Sequence, residues 1–290
     1  MSDKFTAVWV SHSSIGDFLT CPQLYYYNNV YKDKKTGRKI QLMTPPLALG
    51  QTVHNVIESL SVLPKEKRFD NSLFDRFEKE WEKISGEMGG FFDKDVEKKY
   101  KDRGEEMIRK LKANPGPLKD LAVKIEMDLP HYWLSEKNNI ILCGKIDWLE
   151  YIEDSNSVHI IDFKTGKSSK ENQASLQLPI YHLLVHNCQD RKAEKASYWY
   201  LETNRYPTEK DLPELEESHE KVLAIAKKIK LARQLESYEC PEGKKGCRAC
   251  KPLKEIIDGK GKYVGEGEYG KDIYILEPQK DIELKSSTLH

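Results

Sequence analysis

Long apolar runs are missing from this chain, and so is any excess of one charge. Its 290 residues carry 47 Lys and Arg against 47 Asp and Glu, a formal net charge of +0. A protein that coats nucleic acid through bulk positive charge is thereby excluded, and contact with a polyanion has to come from local clusters. No apolar segment is long enough to suggest a membrane span, and no leader with a basic start and an apolar centre is visible, so a cytoplasmic protein is expected. In that reducing setting the six cysteines are expected as thiols or metal ligands rather than as disulfides. There is also no internal repeat and no glycine-rich phosphate loop of the motor type, so any helicase partner must be a separate chain.

What is present starts with Ile160-Ile161-Asp162-Phe163-Lys164-Thr165-Gly166-Lys167. Residues two apart on a strand share a face, so Asp162 and Lys164 project together while Ile161 and Phe163 face a core. A carboxylate able to hold a divalent ion, beside an ammonium able to steady water or phosphate, suits metal-assisted phosphodiester hydrolysis. Upstream, Ile140 to Leu149 forms a second apolar run containing Asp147, and the polar turn Glu153-Asp154-Ser155-Asn156-Ser157 separates the two. The pair reads as an antiparallel hairpin that brings Asp147 beside Asp162. Two carboxylates so placed repel each other unless a cation lies between them.

Two helices are expected at the same place. Leu49, Val53, Val56, Ile57 and Leu60 mark a buried helical face, with Gly50, His54 and Glu58 forming a stripe at spacing four beside it. Gly50 leaves room for something to approach His54 closely. Leu176, Ile180, Leu183 and Leu184 mark a second helix, flanked by Gln173, Gln177 and Tyr181. Pro179 should kink that helix unless the helix begins later.

In order, Gly50-x-x-x-His54, Gly144-x-x-Asp147, Asp162-x-Lys164 with Thr165-Gly166-Lys167, and Gln177-x-x-x-Tyr181 resemble the RecB-type branch of the PD-(D/E)XK nuclease superfamily. The resemblance implies an α/β (α+β) fold of restriction-endonuclease type, a central mixed sheet flanked by helices with the site at one end of the sheet. It implies Mg²⁺ or Mn²⁺ held by His54, Asp147, Asp162 and the main-chain carbonyl of Phe163. Lys164 would be the catalytic lysine, with Gln177 and Tyr181 lining the site near the scissile phosphate.

The pair Cys247-Arg248-Ala249-Cys250 can present two thiolates to one metal. Relatives of the AddB and CRISPR-adaptation kinds often carry a [4Fe–4S] cluster joining the first helix to the C-terminal end. Cys21, in Ser11-x-Ser13-Ser14-x-x-x-Phe18-Leu19-x-Cys21-Pro22, has the context of the first ligand. The usual last cysteine, five residues beyond the C-x-x-C pair, is here Ile256. Three readings stay open: an iron–sulfur cluster on Cys21, Cys240, Cys247 and Cys250, a zinc ion on the same four, or no metal. Cys143 and Cys188 read as structural thiols.

The organisation expected is a nuclease domain over residues 1–256 and a tail over 257–290 with a short hairpin at Tyr263-Val264 and Ile273-Tyr274-Ile275. A helical insertion spans about 66–117, with Phe74, Phe77, Trp81 and Ile84 on one face, and the cysteine segment spans 240–250. Ser14-x-x-Asp17 reads as the capping box of a first helix running to about Tyr31. Ala122–Trp133 and Ala196–Glu202 read as core strands. Lys32 to Lys39, and Lys244, Lys245, Arg248, Lys251 and Lys254, are candidate DNA contacts. Tyr25-Tyr26-Tyr27 could stack on bases but suits a core as well. The expected activity is a metal-dependent DNA nuclease, an exonuclease on single-stranded ends in repair or recombination. A nuclease of CRISPR spacer acquisition and a non-cutting DNA-binding module are the alternatives, and no membrane partner is expected.

Overall fold

The computed structural model describes residues 3–70, 72–166 and 175–277. Lys167 and Gln173, named above, lie outside the described residues. In chain order, β1 (Val8–Val10) is followed by α1 (His12–Thr20), α2 (Pro22–Tyr25), a π-helical turn (Tyr26–Val30), β2 (Ile40–Leu42) and α3 (Pro45–Glu58). The helices α4 (Ser72–Glu82) and α5 (Lys94–Ala113) come next, then β3 (His131–Ser135), β4 (Ile140–Cys143), β5 (Trp148–Ile152) and β6 (Ser157–Lys164). The remainder is α6 (Gln177–Cys188), β7 (Ala193–Tyr200), β8 (Thr208–Lys210), α7 (Leu215–Gln234), α8 (Lys251–Ile257), β9 (Lys262–Glu266) and β10 (Asp272–Ile275).

The strands form three sheets, β5-β6-β7-β8, β1-β4-β3 and β2-β10-β9. In the first, β5–β6 is an antiparallel hairpin, whereas β6 and β7 run parallel and are joined through α6. That crossover forces a helix onto one face of the sheet, so β6 is buried on both sides. Its residues divide by parity. Val158 and Ile160 join one apolar core with Ile180 and Leu184 of α6. Ile161 and Phe163 join a second with Val53 and Ile57 of α3 and with Phe77 and Trp81 of α4. Asp162 therefore lies on the α6 side of the sheet and Phe163 on the α3 side.

Several local expectations are corrected. The run Ile140–Leu149 is not one strand. β4 lies in the β1-β4-β3 sheet, where Gly144 extends the pairing with β3 by donating to the carbonyl of Pro130 at 3.0 Å, and of this run only β5 pairs with β6. The expected strand Ala122–Trp133 is also divided. Ala122 makes an isolated bridge to Glu150, and the strand itself starts at His131. The first helix begins earlier than Ser14, because Ser11 is the N-cap and Ser14 closes the box on it. It also stops at Cys21, whose extended backbone (φ −167°, ψ 122°) separates α1 from α2. The second site helix begins at Gln177, so Pro179 occupies its first turn, where its missing N–H costs no helical bond and no kink is required. Tyr25 and Tyr27 are buried and Tyr25 stacks on Tyr238, so this aromatic run serves the core.

α4 and α5 are rich in charged residues, and α5 packs on both α3 and α4. They meet closely at Gly104, where an added Cβ would stand 2.6 Å from the buried ring of Phe77 and 3.0 Å from Leu49. Gly104→Ala should therefore lower stability by about 1–3 kcal/mol despite alanine's better helix propensity. Urea denaturation checks this, and an unchanged or raised midpoint would contradict it.

Candidate active site

The edge of β6 and the start of β5 create the site. Trp148 pairs with Ile161, so Asp147, one position before β5, comes level with Asp162. The Phe163 N–H donates to Asp147 Oδ2 at 2.9 Å, fixing that carboxylate on the strand end. His54 Nδ1 of α3 lies 3.4 Å from the same oxygen. α3 reaches this position because Ala48, Leu49, Val53, Val56 and Ile57 bury its inner face, leaving His54 on the flank. One turn earlier, a Cβ on Gly50 would stand 3.4 Å from Thr165 Oγ1, so the group that approaches there is the hydroxyl just beyond Lys164.

Asp162 is 1% exposed. Its carboxylate forms an ion pair with Lys164 and accepts a hydrogen bond from the Gln177 amide. Gln177 also accepts from Lys164 Nζ at 2.5 Å, and its amide nitrogen lies 3.2 Å from the Tyr181 hydroxyl. The Lys164 ammonium lies 5.1 Å from the centre of the Tyr198 ring, a cation–π contact. Gln177, at the start of α6, is thus a clamp between acid and lysine.

Burial, and then the charge of Asp147, push the Asp162 carboxyl up to about 7, with Lys164 and His54 opposing. For His54, burial favours the neutral ring, but the hydrogen bond and charge of Asp147 outweigh it and raise the pKa. Burial raises the Tyr181 phenol well above its ordinary value, which keeps it a neutral hydrogen-bonding group.

Two neighbours escaped the sequence reading as members of the site. Glu58 stands near His54 and Asp147, and burial raises its pKa against the opposing charge of Lys145. Its place on the His54 stripe was the available signal. His12, at the start of α1, is lowered to about 4 by burial and by the charge of Lys164. Nothing local in the sequence ties it to that lysine. A cleft of about 540 Å³ opens beside these groups, lined by Glu58, Ser61, Lys124, Lys145, Asp147 and Trp148.

The donor set fits a hard divalent ion. Asp147, Asp162 and His54 bring two carboxylates and an imidazole together. One buried oxygen, Asp162 Oδ2, has the Lys164 contact but no hydrogen bond. Among the described residues, however, only the four cysteines bring three or more such donors within single-ion distance. In the acidic site Asp162 is turned to Lys164 and Gln177, so an entering cation would share Asp162 with the lysine.

The cysteines do converge. Cys21, Cys240, Cys247 and Cys250 place their sulfurs within 4.8 Å of one another, a set compatible with a metal ion or an iron–sulfur centre. Cys143, buried in β4, and Cys188 stand apart as free thiols. Ile256 packs in the apolar cluster around the four. The proposed basic contacts are partly neutralised, since Arg38 pairs with Glu266 and Asp272 and Lys254 with Asp258.

A buried acid pair, an imidazole and a clamped lysine, gathered where β6 ends, are groups that metal-assisted phosphodiester hydrolysis can use. The family model of the PD-(D/E)XK nuclease superfamily matches residues 9–253, and the chain belongs to that superfamily. Its nucleases use divalent metals and act on DNA. No curated protein matches the chain at a significant level. No helix among the described residues is long and apolar enough to cross a membrane.

The crowded carboxylates generate a stability prediction. Asp162→Asn removes a buried charge from beside Asp147 and should raise the melting temperature of the metal-free protein. Mn²⁺ should stabilise the unsubstituted protein by about 2.7 kcal/mol at a hundredfold excess over Kd, raising its melting temperature, and leave Asp162→Asn nearly unmoved. Calorimetric scans with and without Mn²⁺ check both statements, and equal shifts in the two proteins would remove Asp162 from the ligand set.

Proposed function

We propose that the protein is a Mg²⁺- or Mn²⁺-dependent deoxyribonuclease of the RecB-like kind, acting as an exonuclease on single-stranded ends in DNA repair or recombination. The observation that carries this reading is the Asp162–Lys164–Gln177 clamp, buried opposite Asp147 and His54. The four motifs stand in RecB-type order, and a cleft of about 540 Å³ adjoins Asp147.

A divalent ion bound by His54, Asp147, Asp162 and the Phe163 carbonyl would supply Lewis acidity to the phosphoryl group and acidify the attacking water. Asp147 is held in place for this by the Phe163 N–H, and His54 by its contact with Asp147. Lys164 steadies the attacking water and stabilises the charge that grows on the phosphate oxygens. Gln177 sets the lysine's position, and Tyr181, held neutral by burial, holds the far side of that amide. Lys124 and Lys145 line the path by which a strand enters. A module that only bound DNA would need neither the lysine clamp nor the acid pair.

End-labelled single- and double-stranded DNA, incubated with Mg²⁺, Mn²⁺ or EDTA, tests the assignment. Cleavage should require a divalent ion, favour single strands and release product from an end. Asp147→Ala and Asp162→Ala should each abolish it while leaving DNA binding largely intact, and wild-type rates would refute the assignment of that residue. Lys164→Ala should slow cleavage by about a hundred- to a thousandfold, the equivalent of roughly 3–4 kcal/mol, with divalent-ion binding retained. Loss of ion binding on calorimetry would make the lysine a structural residue instead.

A further inference from the structure

The cysteine cluster stands apart from the acidic site and has its own construction. Cys21 is delivered by the break between α1 and α2. The other three come from consecutive tight turns in the 240–251 segment. The Gly243 N–H donates to the Cys240 carbonyl at 2.9 Å, the Gly246 N–H to the Gly243 carbonyl at 3.0 Å, and the Lys251 N–H to the Cys247 carbonyl at 2.9 Å. Gly243 and Gly246 both have φ of +77°, the left-handed region that favours glycine. At Gly246 an added Cβ would also stand 3.0 Å from Cys250 Sγ. The Cys247 N–H points at two sulfurs, 3.2 Å from Cys240 Sγ and 3.3 Å from Cys250 Sγ.

The spacing of the sulfurs discriminates between occupants. Cys250 Sγ lies 3.7 Å from Cys247 Sγ and 3.7 Å from Cys240 Sγ, and 4.8 Å encloses all four. Four thiolates around one zinc at about 2.3 Å stand about 3.8 Å from one another at the corners of a tetrahedron. In a [4Fe–4S] cubane each thiolate binds a different iron, so an iron–iron edge pushes the sulfurs well beyond the separation seen here. The position at which related clusters take their last cysteine is Ile256, which is buried, and a Cβ on Gly261 would come within 2.8 Å of its side chain. That position is committed to apolar packing.

We propose that Cys21, Cys240, Cys247 and Cys250 form a closed, structural site for a single Zn²⁺ and do not hold the iron–sulfur cluster that the family resemblance implies. The site offers four ligands and a buried wall, so it leaves no open position for substrate and its role is to fasten α1 and α2 to the C-terminal segment. It stands independently of the nuclease reading, and its failure would leave that reading untouched.

The test is elemental analysis of the full chain purified without oxygen from cells supplied with both iron and zinc. The expected protein is colourless and contains about one zinc per chain, with zinc-edge X-ray absorption giving four sulfur neighbours at about 2.3 Å. Cobalt exchanged into the same protein should give the intense visible bands of a tetrahedral tetrathiolate, which needs no variant to fold. Cys250→Ser should lose the zinc and melt at a lower temperature, Gly246→Ala should release zinc to a chelator faster, and Asp162→Asn should keep it. Brown protein with about four irons and inorganic sulfide per chain would overturn the proposal in favour of the cluster. Protein free of metal at these cysteines, or zinc bound through nitrogen and oxygen, would overturn it equally.

Discussion

A carboxylate buried inside a sheet is the constraint around which this molecule is arranged. Asp162 occupies the last turn of alternation in β6, on a strand whose neighbours along both faces are apolar, and water does not reach it. A charge there is tolerable only if other polar groups surround it. Lys164, Gln177 and the facing His54–Asp147 pair meet that demand, and each comes from a different piece of chain. The start of α6, the flank of α3 and the break before β5 are therefore all fixed by one oxygen pair. The same lack of hydration that makes the carboxylate costly also strengthens its interaction with any positive charge beside it, Lys164 first.

Two apolar cores provide the rigidity for this arrangement. The sheet β5-β6-β7-β8 separates them, with α6 and α7 on one side and the α3, α4 and α5 group on the other. The reactive groups emerge where that partition ends, at the strand edge beyond Phe163. The third cluster, around the cysteines, braces α1 and α2, and the first residue of α1, His12, is close enough to Lys164 to sense its charge. The cysteine centre and the acidic site are in this way joined through one short helix.

Much of the site was legible because it obeys local periodicities. Alternation alone put Asp162 and Lys164 on one face, and spacing four put Gln177 beside Tyr181 and Gly50 beside His54. The split of Ile140–Leu149 was not legible, since continuous hydrophobicity gives no sign of which sheet a residue joins. Gly144, next after the last residue of β4, was the local mark of the break. The early start of α1 was missed because two serines three apart, Ser11 and Ser14, make the same reciprocal cap as the serine–acid pairing sought further on. His12 and Glu58 gain their place from tertiary packing, which a single sequence does not display. The hairpin at the end of the described chain was foreseen, but its parallel pairing with β2 was not. No pattern within either segment encodes a partner 236 positions away, as Thr36 and Asp272 are.

That distant pairing sets an order on folding. The strand that completes β2, like the segment that meets Cys21, is made long after it. During synthesis the edge of β2 and the apolar side of Ile40 must wait, unpaired, until residues 240–275 have left the ribosome. Closing so large a loop is entropically slow, so the nuclease core can be complete while this seam is still open. The seam is then the part of the molecule whose strand edge stays unpaired longest.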